Sequence, residues 1–453
     1  MAMFMDDSYR PEEYQKFEHE TPEWYRRAKL GIFVHWGVYS VPAWAEPLGE
    51  FGSADDPRSF ARNPYAEWYA NTMRIEGSPA REHHLETYGD KDYYELLDLW
   101  TAENFDAADV IALVASTGAR YFVPTTKHHD GVTLWPAPES DGLNTVERGP
   151  HRDLISEFEQ ATRAAGLRFG VYYSGGLDWH FTQLPPLVEK PGEKDRELKG
   201  RPNDSEYARY AFIQAADLID RYSPDVLWGD IDWPDAGKAP GDESLIALFE
   251  RFYDRSPEGV VNDRWGDTHW DFRTSEYQES PTLGGEAWEN TRGIGYSFGY
   301  NELEDQRTTL SGPDAVRHFV DVVARGGNLL LNIGLMADGT VPPLQRATLE
   351  HLGEWNSRNG VAVFDSEPLD PTIATNSDSP WVRWTRTGGT ANAIIDATGP
   401  VELFVADRTL APSSARLLDG TPVAASATTP DRLSVDVPPS AAAGPTVVVF
   451  DVA

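Results

Sequence analysis

The sequence predicts an α/β protein: a (β/α)8-like barrel of TIM type, regular or irregular, followed by a small C-terminal antiparallel β-sandwich. Three observations predict it. Up to about residue 360, short apolar runs ending in polar or aromatic residues alternate with helical segments, as parallel strands joined by crossovers require. The number of such units and a chain of 453 residues suit a closed barrel better than an open sheet. After Glu354 the texture changes to short alternating runs among Gly, Pro, Ser, Thr and Asp, the pattern of a sandwich. The expected division is a barrel over residues 1–361 and a sandwich over 362–453.

The first strand is Leu30–His35, LGIFVH. Residues 105–117 read as a helix, with Val110, Ile111 and Val114 on one face, Asp106 as N-cap and Gly118 as stop signal. A strand at 120–125 follows and runs into Lys127-His128-His129-Asp130. Residues 153–165 form the next helix, with Leu154, Phe158, Ala161 and Ala165 at helical spacing and Gly166 after them; 167–173 is a strand again. The charged, Pro/Gly-broken stretch 185–202 reads as a surface loop. A helix at 207–220 leads to a strand at 225–230; further strands are expected at 259–264 and 327–333, the latter after a helix at 313–324. In barrels, function gathers at the carboxyl ends of strands. Here those ends carry His35, His128, His129, Tyr172, Asp230 and Arg264. In the last segment the alternating runs are 381–384, 392–396, 401–405 and 446–450.

Composition excludes several classes of function. The absence of cysteine removes disulfides, thiolate metal sites and a cysteine nucleophile. A net charge of −34 repels polyanions, so no nucleic-acid partner is expected. No apolar run approaches membrane-spanning length, and the acidic start MAMFMDDSYRPEEYQ lacks the pattern of a secretory leader. A cytoplasmic protein without membrane association is the expectation. Only eight of the 39 basic residues are lysine, and an acidic, lysine-poor surface resembles that of proteins from salt-in halophiles. High-GC codon bias is the other explanation of arginine over lysine; the halophilic reading makes folding salt-dependent. Fifteen Trp, 19 Tyr and 19 Phe exceed what a core needs, and flat rings stack on the apolar faces of sugars.

Hydrolysis of a glycosidic bond needs two carboxyl groups flanking it. Asp230 ends an apolar strand two residues after Trp228, so strand periodicity puts a carboxylate beside an aromatic wall. Asp232 and Asp235 are rival carboxylates, and a loop cap is the plainer role for any of the three. Glu276, in WDFRTSEY, is flanked by aromatics whose desolvation suits an acid working near neutrality, although a surface Glu is the simpler reading of it alone. Adjacent His128 and His129 point to opposite sides if their strand persists, which makes a shared metal awkward. HExxH spacing is absent, and His83-His84 reads as a solvated face. A metal-dependent barrel hydrolase using His35, His128, His129, Asp130 and Asp230 remains an alternative, as does a sugar-binding protein without turnover. Neither cofactor nor metal is expected.

The stretches WYRRAKLGIFVHWGVYSVPAWAE, NPYAEWYANTM, TKHHDGVTLWP, GLRFGVYYSGGLDW, SPDVLWGDIDWPD, VNDRWG…HWDFRTSEY, WENTRGIGYSFGYN and GGNLLLNIG…DGT follow one another from about residue 23 to 360. They resemble, in order, the family 29 glycoside hydrolases, the α-L-fucosidases, and most closely their broad-specificity branch. The resemblance implies a retaining hydrolase of terminal α-L-fucosyl linkages in oligosaccharides or glycoconjugates, often oligomeric. By motif it makes Asp230 the nucleophile and Glu276 the acid/base, with Glu67 the fallback for the latter. It implies that His35, Glu67, Trp68, His128, His129, Tyr172 and Arg264 hold fucose hydroxyls, and that Trp228 and Phe298 line the sugar's apolar side and methyl group.

Overall fold

Alternate residues of the first strand face two apolar surroundings: Phe33 packs inward with other strands, while Ile32 and Val34 pack outward against helices. That two-sided burial makes parallel strands read as continuous apolar runs. The computed structural model describes residues 10–50, 60–181, 186–187, 201–277, 286–406, 409–440 and 443–452. Within them, eight parallel strands surround a common interior. They are β1 (Leu30–His35), β2 (Tyr121–Lys127), β3 (Arg168–Ser174), β4 (Val226–Asp230), β5 (Val260–Val261), β6 (Arg273–Glu276), β7 (Trp288–Gly293) and β8 (Asn328–Gly334). Their hydrogen-bonded order is β5-β4-β3-β2-β1-β8-β7-β6. The two ends of that path meet through a parallel bridge between Asn262 and Phe272, and Asp271 N donates to Val261 O beside it. The sheet is thus a barrel, closed at one narrow seam.

Helices Ala107–Ser116, Leu154–Ala164, Ser205–Tyr222, Leu245–Arg255 and Gly312–Ala324 connect successive strands, and Pro343–Asn359 follows β8. Asp106 and Asp153 cap the first two by accepting from backbone N–H groups of their first turns, each such cap being worth about 1 kcal/mol. Among the described residues no helix joins β5 to β6, so the barrel is irregular. The strand expected over 259–264 is in fact the two residues of β5. Asn262 ends it by side-chain mimicry: its Oδ1 accepts from Gly229 N and its Nδ2 donates to Gly229 O, both at 2.9 Å. The leader reading at residues 1–9 lies outside the described residues, as does the expected loop 185–202 apart from 186–187 and 201–202. No described helix is long and apolar enough to cross a membrane.

The interior is aromatic: Phe33, Tyr121, Tyr172, Trp228 and Phe272 fill it with Val123, Val226, Val260 and Leu330. One carboxyl stands among them. Glu289, on β7 and fully buried, accepts from Trp228 Nε1 at 3.0 Å, Tyr25 Oη at 2.9 Å and Tyr121 Oη at 2.5 Å. Burial pushes its pKa up to about 7 against the pull of those three donors.

Beyond the last barrel helix the chain forms two antiparallel sheets. One contains Ser377–Asp378, Trp381–Thr387, Thr390–Asp396 and Thr446–Asp451, with Glu367–Pro368 at its side; the other contains Gly399–Phe404, Arg432–Val437 and Ala425–Thr429. Between them lies a separate core that includes Trp384, Ile395, Leu403, Val435 and Phe450. This sandwich rests on the barrel through Trp355 Nε1, which donates to Pro445 O, and through the Arg383–Asp321 ion pair.

Candidate active site

At the carboxyl ends of the strands a cavity of ≈ 90 Å³ opens, lined by Phe33, His35, Phe60, Tyr65, Glu67, Trp68, His128, His129, Tyr172, Trp228, Asp230, Ile231, Arg264, Glu276, Thr291 and Phe298. All eleven residues that the sequence nominated are in it. A larger cavity, ≈ 910 Å³, lies at the amino ends among Lys29, Trp288, Asn328 and Glu367. Chemistry, not size, picks out the smaller of the two, because it gathers three carboxyl side chains, an arginine and three histidines.

Asp230 ends β4 and Glu276 ends β6, and each is followed by a non-glycine residue at positive φ, Ile231 at 60° and Tyr277 at 54°. Such backbone is costly for a β-branched or bulky residue and concentrates at functional sites. Here it turns the chain sharply just beyond each acid. One guanidinium serves both acids. Arg264 Nη1 donates to Asp230 Oδ1 at 3.1 Å and Nη2 to Glu276 Oε2 at 3.0 Å, while Nε donates to Thr274 Oγ1 at 3.0 Å. Its cationic face also lies 4.8 Å from the Trp228 ring. Glu276 is therefore not walled by aromatics alone, as its flanking residues suggested, but carries an ionic partner.

Asp230 Oδ2 accepts from Tyr172 Oη at 2.9 Å and faces His129 Nε2 at 3.9 Å. Burial alone would raise its pKa. The Arg264 charge and the hydrogen bonds from Tyr172 and Arg264 outweigh burial and hold it below the usual aspartate value. Asp230 is thus an anion in a largely enclosed site. The rivals are otherwise engaged: Asp232 pairs with Arg201 and Lys238, and Asp235 with Lys238 and Asn203. Neither lines the cavity.

The histidines are neutral. Burial lowers His35 and His129 to about 4 and His128 well below its ordinary value. Two tautomers can be read from their partners. Asn332 Nδ2 donates to Phe298 O, so its Oδ1 must be what His35 Nδ1 meets at 2.7 Å, and His35 donates from Nδ1. Ser174 Oγ donates to Leu177 O and so accepts from His129 Nδ1 at 2.7 Å. Both imidazoles consequently keep Nε2 as an acceptor. His128 Nδ1 is buried with no hydrogen-bond partner among the described residues. β2 ends at Lys127, so the alternation that would have sent His128 and His129 to opposite sides stops there; their rings lie 4.0 Å apart, both on the cavity. His84, by contrast, is not solvated as expected. It is buried, bonded to Tyr69 and Lys91 O, while His83 stacks on Trp44.

Glu67 Oε2 accepts from Gly299 N at 2.8 Å and Ser297 Oγ at 3.1 Å, and burial raises its pKa to about 7. Trp68 stacks on Phe60 and meets His129 edge-on; Phe298 packs against His35, Tyr65 and Tyr277. The Trp228 and His128 rings each stack on Tyr172, at centroid distances of 5.6 and 5.8 Å. Phe33, Phe60, Tyr65, Ile231 and Thr291 were not nominated from sequence. Phe33 was within reach, being two strand residues before His35; Phe60 carried no signal.

A parallel barrel with paired carboxylates, neutral histidines and aromatic walls at its carboxyl face defines a glycoside hydrolase. Comparison with known proteins narrows the class. A family model described as alpha-L-fucosidase matches residues 2–361, and the chain belongs to that family. It is 32% identical over 384 residues to human tissue alpha-L-fucosidase, covering 82% of this chain and 75% of that one. It is 30% identical over 378 residues to the Dictyostelium discoideum alpha-L-fucosidase, covering 81% and 77%. Among solved structures, a Thermotoga maritima alpha-fucosidase in complex with a mechanism-based inhibitor superposes with a TM-score of 0.85 at 43% identity, over 98% of this chain and 100% of that one.

Proposed function

We propose that the protein is a retaining exo-α-L-fucosidase in which Asp230 is the nucleophile and Glu276 the acid/base. The observation that carries the proposal is the single guanidinium of Arg264 between the two carboxylates, one of which is held ionised. Asp230 attacks the anomeric carbon as its bond to the aglycone oxygen breaks, and the Glu276 carboxyl proton passes to that oxygen. The resulting fucosyl ester is opened by water, which gives its proton to Glu276 as its oxygen bonds to the anomeric carbon and Asp230 departs as carboxylate. Arg264 stabilises the Asp230 anion before attack and on its release. Retaining chemistry expects the two carboxyls roughly 5–5.5 Å apart.

Substrate recognition follows from the proton inventory. With Nε2 of His35 and His129 as acceptors, the sugar's hydroxyls donate to these imidazoles, and His128, Glu67, Tyr172 and Trp68 supply the remaining polar contacts. Trp228 and Phe298 face the apolar side of the ring and its methyl group. An enclosed cavity suits one terminal sugar, hence exo action on fucosylated oligosaccharides or glycoconjugates. We assign the chain to the broad-specificity branch, the barrel over 1–361 to catalysis and the sandwich over 362–453 to its support. We also propose a cytoplasmic location, and association into a homo-oligomer fits the family.

The test is Asp230→Ala with an aryl α-L-fucoside. Hydrolysis is expected to vanish with the fold intact, and azide to restore turnover as β-fucosyl azide. Wild-type-like turnover in the variant would overturn the nucleophile assignment. Cleavage of the aryl fucoside alongside α-1,2-, α-1,3-, α-1,4- and α-1,6-linked oligosaccharides tests the branch; restriction to one linkage, with the aryl compound refused, rejects it.

A further inference from the structure

Away from the active site, at the helix-free seam between β5 and β6, two imidazoles converge on one buried carboxylate. Asp271 lies just before β6, and its side chain is 1% exposed. Its Oδ2 accepts from Val261 N at 2.8 Å and Tyr253 Oη at 2.7 Å. Its Oδ1 is buried and accepts no hydrogen bond among the described residues. That oxygen faces His19 Nε2 at 3.5 Å and His269 Nε2 at 3.4 Å, and the three ligand atoms lie within 4.8 Å of one another.

His19 cannot answer Oδ1 as a neutral donor. Its Nδ1 is 2.8 Å from Phe17 O, a group that only accepts, so Nδ1 carries the proton and Nε2 presents a lone pair to the carboxylate. Two acceptors facing each other call for either a second proton on the imidazole or a metal cation between them. A Nδ1–H held by a backbone carbonyl is also how metal-bound histidines are commonly oriented. The spacing suits a small divalent ion: a tetrahedron with bonds of about 2.0–2.1 Å has edges of about 3.3–3.4 Å. The measured separations from Oδ1 are close to that.

We propose that His19, His269 and Asp271 form a binding site for a zinc-like divalent cation that fastens the N-terminal segment to the seam of the barrel. Two imidazoles and a carboxylate are a ligand set for zinc rather than for calcium or magnesium. Tyr253 Oη, 2.8 Å from His269 Nε2, stands beside the site. Arg10 Nη1 is 3.2 Å from His269 Nδ1, which puts that ring's proton on Nε2. Coordination moves the proton to Nδ1, so Arg10 leaves the ring and keeps its 2.7 Å bond to Trp270 O. The ion links three parts of the chain: the segment after the turn Glu12–Phe17, the loop after β5, and through Tyr253 the helix Leu245–Arg255.

The test is metal content and thermal stability of the full chain, stripped with EDTA and then given micromolar zinc chloride. Wild type is expected to retain one zinc per chain after desalting and to melt a few degrees higher with it. His19→Ala, which removes a side chain one-third exposed and outside the barrel, is expected to lose both effects while melting like the stripped wild type. Cobalt(II) in place of zinc is expected to give the intense visible absorption of a tetrahedral centre. No retained zinc in wild type overturns the proposal, and so does equal retention by His19→Ala, which would put the metal on other histidines.

Discussion

Removing one hydroxyl tests the electrostatics of Asp230, the proposed nucleophile. Tyr172→Phe deletes the 2.9 Å hydrogen bond to Asp230 Oδ2 and little else, because the ring keeps its stacking on Trp228 and His128. A hydrogen bond to a charged partner contributes about 1.5–3 kcal/mol. At 1.36 kcal/mol per pKa unit, its loss raises the Asp230 pKa by about 1–2 units. Asp230 must be ionised to attack, and its pKa lies below the ordinary value, so losing a stabiliser of the anion moves it up. The acid limb of kcat/KM, which reports the free enzyme, is expected to shift to higher pH by that amount. The assay is initial-rate hydrolysis of an aryl α-L-fucoside across the acid range, with circular dichroism to verify the fold. An acid limb that stays in place in a folded Tyr172→Phe variant refutes the reasoning and separates the observed limb from Asp230.

Arg264→Lys cannot span two carboxylates with a single ammonium; kcat/KM is expected to fall by about 100-fold or more, and retention of near-normal activity would dismiss the bridge. Glu289 titrates at about 7 in the fold against about 4.3 unfolded, so its contribution to stability is full below the unfolded value and lost as pH rises through about 7. By the same arithmetic that loss is up to about 4 kcal/mol. Glu289→Gln is expected to melt progressively higher relative to wild type as pH goes from 5 to 8, and a constant difference would contradict it. With a net charge of −34, Tm is expected to rise from low to molar KCl as repulsion is screened; a flat curve rejects salt-dependent folding.

Much of the barrel was legible because β1, β2, β3, β4 and β8 are apolar runs ended by polar residues, with Asp caps and Gly stops on the helices between them. β6 and β7 escaped for a physical reason. Their sequences, RTSE and WENTRG, carry polar side chains into the interior and the cavity, including Glu276, Glu289 and Thr291. Function there erased the periodicity that reveals a strand. β5 was overextended because nothing in the sequence says that the Asn262 side chain will take over the backbone's hydrogen bonds. In the site, single residues were readable by motif and strand position, but their protonation was not. Asn332 and Ser174, which set the imidazole tautomers, lie 297 and 45 residues from their histidines.

The strands that carry Asp230 and Glu276 differ in how firmly they are held. β4 is laddered to a neighbour on each side, whereas β6 leans on β7 and touches β5 only at the seam. Insertions or shortenings between 262 and 272 can therefore re-aim Glu276, the proposed proton donor, while Asp230 stays where it is. Such a scaffold lets leaving-group preference evolve separately from recognition of the sugar, and attempts to widen the range of aglycones are best directed at that loop.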